Sequence, residues 1–174
     1  MTDSGSFARH PGVFAVDSAE EACLDDRWAA LYQETRPVLF RAAALMVGAA
    51  EAEEVVQEAF ERAIRYREFF EEVREPLAWL RTATARRALG RLRRRRLWER
   101  LRVRLPSYES VEPWERAALA IALGGLVPRD RIALVLRYYQ DATYEEIADS
   151  LGIAASSVGP VLTRARAKIR EALT

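Results

Sequence analysis

The side chains with the plainest chemistry in this chain are cationic and aromatic. Residues 81–104 hold eleven Arg against one Glu, and Tyr66, Phe69 and Phe70 lie just upstream. Guanidinium groups neutralise phosphates and release the counterions condensed around them. Aromatic faces stack on unpaired bases at ~1–3 kcal/mol each. Together these residue types point to nucleic acid. Covalent chemistry has no comparable support: the sequence contains no Ser/His/Asp set, no Gly-rich phosphate loop and no metal-ligand spacing. His10 sits in a polar N-terminal stretch, and Cys23 is a single cysteine without an internal partner, an incidental thiol in a reducing cytosol. The expectation is a cytoplasmic protein that is not an enzyme, with no cofactor, no metal and no small-molecule substrate.

A second constellation lies near the C-terminus. Tyr144, Ile147, Ala148 and Leu151 follow the i, i+3, i+4, i+7 spacing of a short amphipathic helix. Thr143 followed by Glu146 is a capping box that starts it, and Gly152 supplies the left-handed residue that ends it. Val158, Leu162, Ala165, Ile169 and Leu173 then mark a longer, basic helix. Two helices about a tight Gly-containing turn predict a DNA-binding helix-turn-helix. With Val158, Leu162 and Ala165 turned inward, its outward residues are Ser156, Ser157, Gly159, Pro160, Thr163 and Arg164. Arg164, Arg166, Lys168 and Arg170 are better placed for phosphates than for base edges, and phosphate contacts position without specifying. Pro160 cannot donate to the carbonyl of Ser156, so it fits only if this helix starts late, with Ser156 near the cap.

The elements that must carry these residues all read as helices. The chain has 174 residues, half of them hydrophobic, enough for one medium domain or two small ones. No apolar run approaches the ~18 residues that span a bilayer, and no secretory pattern opens the chain, so membrane insertion is not expected. Residues 1–24 read as a mobile tail. A helix starts near Asp25 or Asp26, is kinked or restarted at Pro37, and ends at Gly48. Another runs from about Ala50 to Arg67. Residues 66–75 form a loop candidate, and Pro76 opens a helix that runs into the Arg block. Trp79, at helical spacing with Leu80 and Ala83, belongs to the core. The periodicity breaks around Pro106 and Pro113. The predicted organisation is all-α: one helical domain over 25–99, a linker over 100–113, and a helix-turn-helix domain over 114–174.

A net charge of +1 hides strong segregation. Residues 51–75 carry nine Glu against four Arg, immediately before the Arg block. The outer face of the second helix offers Glu53, Glu54, Gln57, Glu58, Glu61 and Arg62, an acidic stripe that is either solvated or suited to a basic partner. Lys168 is the only lysine. Arg favours bidentate phosphate contacts, but a genomic codon bias would give the same preference, so the weight rests on the charge blocks.

Taken in order, five segments resemble a known family. They are LYQETRPVLFRAAALMVG (31–48), AEEVVQEAFERAIR (52–65), EPLAWLRTATARRALGRLRRRR (75–96), LVPRDRIALVLRYYQDATYEEIADSLGI (126–153) and RARAKIREAL (164–173). From Trp28 to Leu173 the chain resembles a bacterial RNA polymerase sigma factor of the small, two-domain, extracytoplasmic-function type. The resemblance implies partners: core RNA polymerase, promoter DNA both duplex and single-stranded, and an anti-sigma protein of the kind that often restrains such factors. It assigns polymerase docking to Glu53, Glu54, Gln57, Glu58 and Glu61. It assigns the melted promoter element to Tyr66, Phe69 and Phe70, with Arg86, Arg87, Arg91, Arg93, Arg94, Arg95 and Arg96 as the phosphate track. It assigns the upstream duplex element to Ser156, Ser157, Thr163, Arg164, Arg166 and Lys168. The chain departs from the family at Arg86 and Gly90, where members carry Asn and Asp. It departs again at Ser157-Val158-Gly159-Pro160-Val161, where they commonly have Thr-Val-Lys-Ser-Arg. Restoring Lys and Arg at Gly159 and Val161 is expected to tighten duplex binding.

Three other readings remain open on sequence alone. One is a DNA-binding regulator using the helix-turn-helix without polymerase. Another is a sigma-like protein with weakened promoter reading. The third is a helical module whose Arg block binds acidic protein or lipid.

Overall fold

The computed structural model describes the backbone of residues 18–101 and 114–173, and side chains over 23–97 and 119–173. Among these residues every regular element is helical: α1 (Ser18–Val47), α2 (Ala49–Ile64), α3 (Phe69–Glu72), α4 (Pro76–Leu101), α5 (Trp114–Gly125), α6 (Pro128–Tyr139), α7 (Tyr144–Leu151) and α8 (Val158–Leu173), with a 3-10 turn at Ala155–Ser157. Residues 1–17 of the expected tail and 102–113 of the expected linker lie outside the described residues.

The first half is built on α1, α2 and α4. Leu39 and Met46 of α1, Val55, Val56 and Phe60 of α2, and Leu80, Leu89 and Leu92 of α4 are buried together. Each such side chain contributes ~1.5–3 kcal/mol on leaving water. Ala42, Ala43, Ala52, Ala63, Ala85 and Ala88 fill the seams between them, where a larger side chain would hold the helices apart. Gly48, at φ 97°, makes the sharp joint between α1 and α2 that a side chain would strain.

Two expectations about α1 need correcting. It is already helical at Ser18, so residues 18–24 of the expected tail belong to α1. Pro37 neither breaks nor restarts it. Gln33 and Pro37 both lie on the solvent face, where water can satisfy the carbonyl that the proline ring leaves without a donor.

The second half gathers Leu123, Leu126, Ile132, Leu136, Ile147, Leu151, Val158, Leu162 and Ala165 into its core. The capping box at α7 is complete: Glu146 N donates to Thr143 Oγ1 at 3.2 Å, and Thr143 N donates to Glu146 Oε2 at 2.7 Å. Gly152 closes α7 in the left-handed conformation, φ 63°. The 3-10 turn delays α8 until Val158, so Pro160 falls in its first turn, where a missing N–H costs no helical hydrogen bond.

The two halves are in contact rather than merely tethered. The Arg131 side chain is buried and donates to the Met46 carbonyl of α1 at 2.9 Å and to the Gly124 carbonyl at 2.6 Å. Helix α7 lies against α4, where Arg86 meets Asp149 and Ser150 Oγ lies 3.5 Å from Thr82 Oγ1.

Candidate nucleic-acid and protein interfaces

The acidic stripe on α2 is largely spent inside the molecule. Glu53 turns to α1, accepting from Arg36 Nη2 at 2.7 Å, Arg36 Nε at 3.1 Å and the Tyr32 hydroxyl at 3.0 Å. The Arg36 hydrogen bond, assisted by Tyr32 and opposed by partial burial, holds its carboxyl below the usual range. Glu54 and Glu58 face α4, where Arg91 reaches them at 2.6 and 2.5 Å. Glu51 pairs with Arg95 at 3.3 Å, and Arg87 lies 3.8 Å from Glu58. The Arg91 side chain is only 14% exposed, so its ion pairs are screened far less than surface pairs. Its hydrogen bond to Glu54 pulls that carboxyl below its ordinary range. Of the polymerase-docking candidates, Gln57 and Glu61 are exposed on the outer face, Glu61 alongside Arg65 at 3.0 Å, while Glu54 is exposed at the edge. Glu53 and Glu58 are half-buried, and each is ion-paired within the fold.

The aromatic candidates divide in the same way. Residues 69–72 form a helical turn rather than a loop, and Phe69 beneath it is fully buried. Its ring packs 5.0 Å from Trp28, 5.4 Å from Phe70 and 5.2 Å edge-on to Trp79. Phe69 is therefore a core residue, unavailable to stack on a base. Phe70 is half-buried between Trp28 and the guanidinium of Arg27, which sits 4.0 Å over the ring. Tyr66 is half-buried, and its hydroxyl donates to Glu72, which raises its pKa.

The Arg track is also split. Arg87, Arg91 and Arg95 face the Glu residues of α2. Arg86 holds Asp149 of α7 at 2.5 Å and reaches the Asp149 carbonyl at 3.1 Å, an exposed ion pair that leaves its side chain 45% accessible. Arg96 donates to the Leu126 carbonyl at 3.4 Å. Arg93 and Arg94 are exposed and have no ion pair among the described residues. Those two are exposed cations on this helix available to a phosphate backbone.

On the helix-turn-helix, Ser156, Ser157, Thr163, Arg166 and Lys168 are exposed on or beside α8. Arg164 is not free: it makes a bidentate pair with the fully buried Asp130 of α6, at 2.7 and 3.0 Å. That pair raises the Arg164 pKa and ties α8 to α6. Val161 is buried beside Val158, Leu162 and Ala165, so a charged side chain there would enter the core rather than a groove. The expectation for Arg at position 161 is withdrawn. Gly159 is open: a Cβ there would meet only Tyr144 Cε2, at 3.9 Å. Gly159→Lys is expected to fold normally and to tighten duplex binding with a steeper salt dependence, read by fluorescence anisotropy across a salt series. An unchanged salt slope would mean that this turn does not face the groove.

The side chains missed from sequence are Arg36, Asp130, Arg131 and Asp149. Their partners lie 17, 34, 85 and 63 residues away, beyond any local spacing rule. Among the described residues no three His, Cys, Asp or Glu side chains gather to hold a metal ion, and no helix is long and apolar enough to cross a membrane.

Comparison with known proteins fits this geometry. The family model described as Sigma-70 region 2 matches residues 31–97, and that described as Sigma-70, region 4 matches residues 122–171. The chain is 32% identical over 127 residues to an RNA polymerase sigma-E factor of Streptomyces coelicolor, covering 71% of this chain and 72% of the relative. A sigma-E factor of Streptomyces antibioticus is 41% identical over 59 residues, 34% of this chain and 33% of that one. Among solved structures, CnrH in complex with the cytosolic domain of CnrY superposes with a TM-score of 0.64 at 27% identity, covering 89% of this chain and 93% of that chain. The sigma factor RpoE in complex with the anti-sigma factor NepR from Bartonella quintana shares the fold, with a TM-score of 0.61 at 21% identity over 87% of this chain and 96% of that chain. With both regions present, in order, and with one helical half built around each, the chain belongs to the sigma-70 family of RNA polymerase sigma factors, in its two-region extracytoplasmic-function form.

Proposed function

We propose that this sigma factor engages core polymerase through the exposed outer face of α2, at Gln57, Glu61 and the edge of Glu54. The phosphates of the promoter meet the exposed guanidiniums of Arg93 and Arg94 toward the far end of α4, while the half-buried rings of Tyr66 and Phe70 lie near its start. The upstream duplex lies against Ser156, Ser157, Thr163, Arg166 and Lys168. The factor works in the cytoplasm, adds no catalytic group of its own, and directs the polymerase's chemistry by placing it. The supporting observation is that Gln57, Glu61, Arg93, Arg94, Ser156, Ser157, Thr163, Arg166 and Lys168 are exposed, whereas Arg87, Arg91 and Arg95 of α4 pair with Glu51, Glu54 and Glu58 of α2. A protein that covers them when transcription is not wanted, as an anti-sigma factor does, is a natural partner. An apolar first turn in α8, with Gly159 and Pro160, favours a helix-turn-helix that anchors the duplex more than it reads bases.

The docking face is tested by the double variant Gln57→Lys, Glu61→Lys. Both positions are exposed, so the fold is expected to survive, and co-elution with core polymerase is expected to weaken at least tenfold. Undiminished association would remove α2 from the interface.

A further inference from the structure

A cleft between the two halves holds more positive charge than its own carboxylates offset. It encloses about 500 Å³, with α4 on one side and the first turn of α6 and the flank of α8 on the other. Arg93, Arg96, Arg129 and Arg164 line it, and among the described residues its one acidic lining residue is Asp130. Asp130 is fully buried, and both its oxygens are taken by Arg164. Among the described residues, Arg96 is engaged by a neutral carbonyl, that of Leu126, and by no carboxylate. Arg93 and Arg129 are exposed and have no carboxylate partner among the described residues. The contrast is with Arg87, Arg91 and Arg95, on the α4 face opposite α2, each of which meets a Glu. One face of α4 is thus neutralised within the fold, and the other is left cationic where the surface is concave.

Such a cleft focuses the potential of its cations. Guanidinium forks match phosphate oxygens in pairs, so three uncompensated Arg suit a ligand with more than one phosphate better than a single carboxylate. The volume lies within the range of small-molecule sites. We propose that this cleft binds a small ligand carrying two or more linked phosphates, such as inorganic polyphosphate or a nucleoside polyphosphate. Its walls come from both halves, so a ligand bound there favours their docked arrangement by its differential affinity for it.

The test is calorimetric titration of the full chain with inorganic tripolyphosphate and, separately, with ATP, both free of metal, at physiological ionic strength. Saturable one-to-one binding is expected, weakened at least tenfold by Arg129→Glu and again by Arg93→Glu. Arg65→Glu, a charge change of the same size at the exposed residue that follows α2, should leave it unchanged. Equal affinities for the two probes would assign recognition to the phosphate chain, and a tenfold preference for ATP would add the nucleoside; either supports the site. Absence of saturable binding, or an equal loss with Arg65→Glu, would overturn it. Displacement of tripolyphosphate by promoter-free duplex with the same Arg129 dependence would also overturn it, making the cleft part of a DNA track. Circular dichroism checks each fold, and Arg93→Gln serves if a reversal variant unfolds. For the docked arrangement, small-angle scattering of Asp149→Arg, which breaks the contact with Arg86, should show a smaller radius of gyration with tripolyphosphate than without. A larger radius would contradict it.

Discussion

Replacing Phe69 by Ala is expected to destabilise the free protein by about 3–5 kcal/mol, with no DNA or polymerase present. The ring is fully buried and touches Trp28, Phe70 and Trp79, so truncation opens a cavity at the junction of α1, α3 and α4. In a domain of this size that loss lowers the melting temperature by on the order of 10 °C. A residue whose ring stacks on an unpaired base predicts the opposite pattern: unchanged thermal unfolding and a defect confined to promoter opening. Tyr66→Ala supplies the comparison, because that ring is half exposed and its hydroxyl is engaged only by Glu72. It should cost roughly 1 kcal/mol or less, in line with a lost surface contact. A wild-type melting temperature for Phe69→Ala would show that the ring is not core.

Arg164→Ala is expected to cost about 3 kcal/mol, and its partner variant Asp130→Ala distinctly less. The asymmetry follows from burial. Asp130 is fully buried while Arg164 is 52% exposed, so losing the arginine strands a carboxylate away from water. Losing the carboxylate lets the arginine turn outward and hydrate. The figure sits at the low end of the range for broken buried pairs because solvent already screens half of the guanidinium. Thermal unfolding of the two single variants and of Arg164→Leu with Asp130→Leu decides the matter, and the double variant is expected to recover much of the loss. If Arg164→Ala left stability untouched and reduced only DNA affinity, the guanidinium would belong to the groove and not to the fold.

Features encoded by short-range spacing were legible in the sequence, and features encoded by distant pairing were not. The helix-turn-helix could be read because its signals are local: the Thr143–Glu146 box, Gly152, and the apolar repeat of α7. The family resemblance also rested on contiguous segments. The two charge blocks were equally visible, but each pointed to an outside partner. Their strongest partners are each other: Arg91 meets Glu54 and Glu58 across 37 and 33 residues of chain. Nothing in linear spacing distinguishes an Arg aimed at phosphate from an Arg aimed at a glutamate two helices away. Phe69 was obscured because its helix is a single turn, too short to display a period. Val161 was misjudged despite a local signal: Val158, Val161, Leu162 and Ala165 stand at i, i+3, i+4 and i+7, the spacing of a buried stripe, which the expectation of Arg at 161 overlooked.

The central claim is that this chain places core polymerase on promoters and helps open them. The most direct measurement mixes core polymerase, the full chain and a promoter library, and maps unpaired thymines with permanganate. The account predicts that the chain co-elutes with core and that an open bubble forms only when both are present. Tight duplex binding by the chain alone, with no association with core and no bubble in its presence, would contradict it.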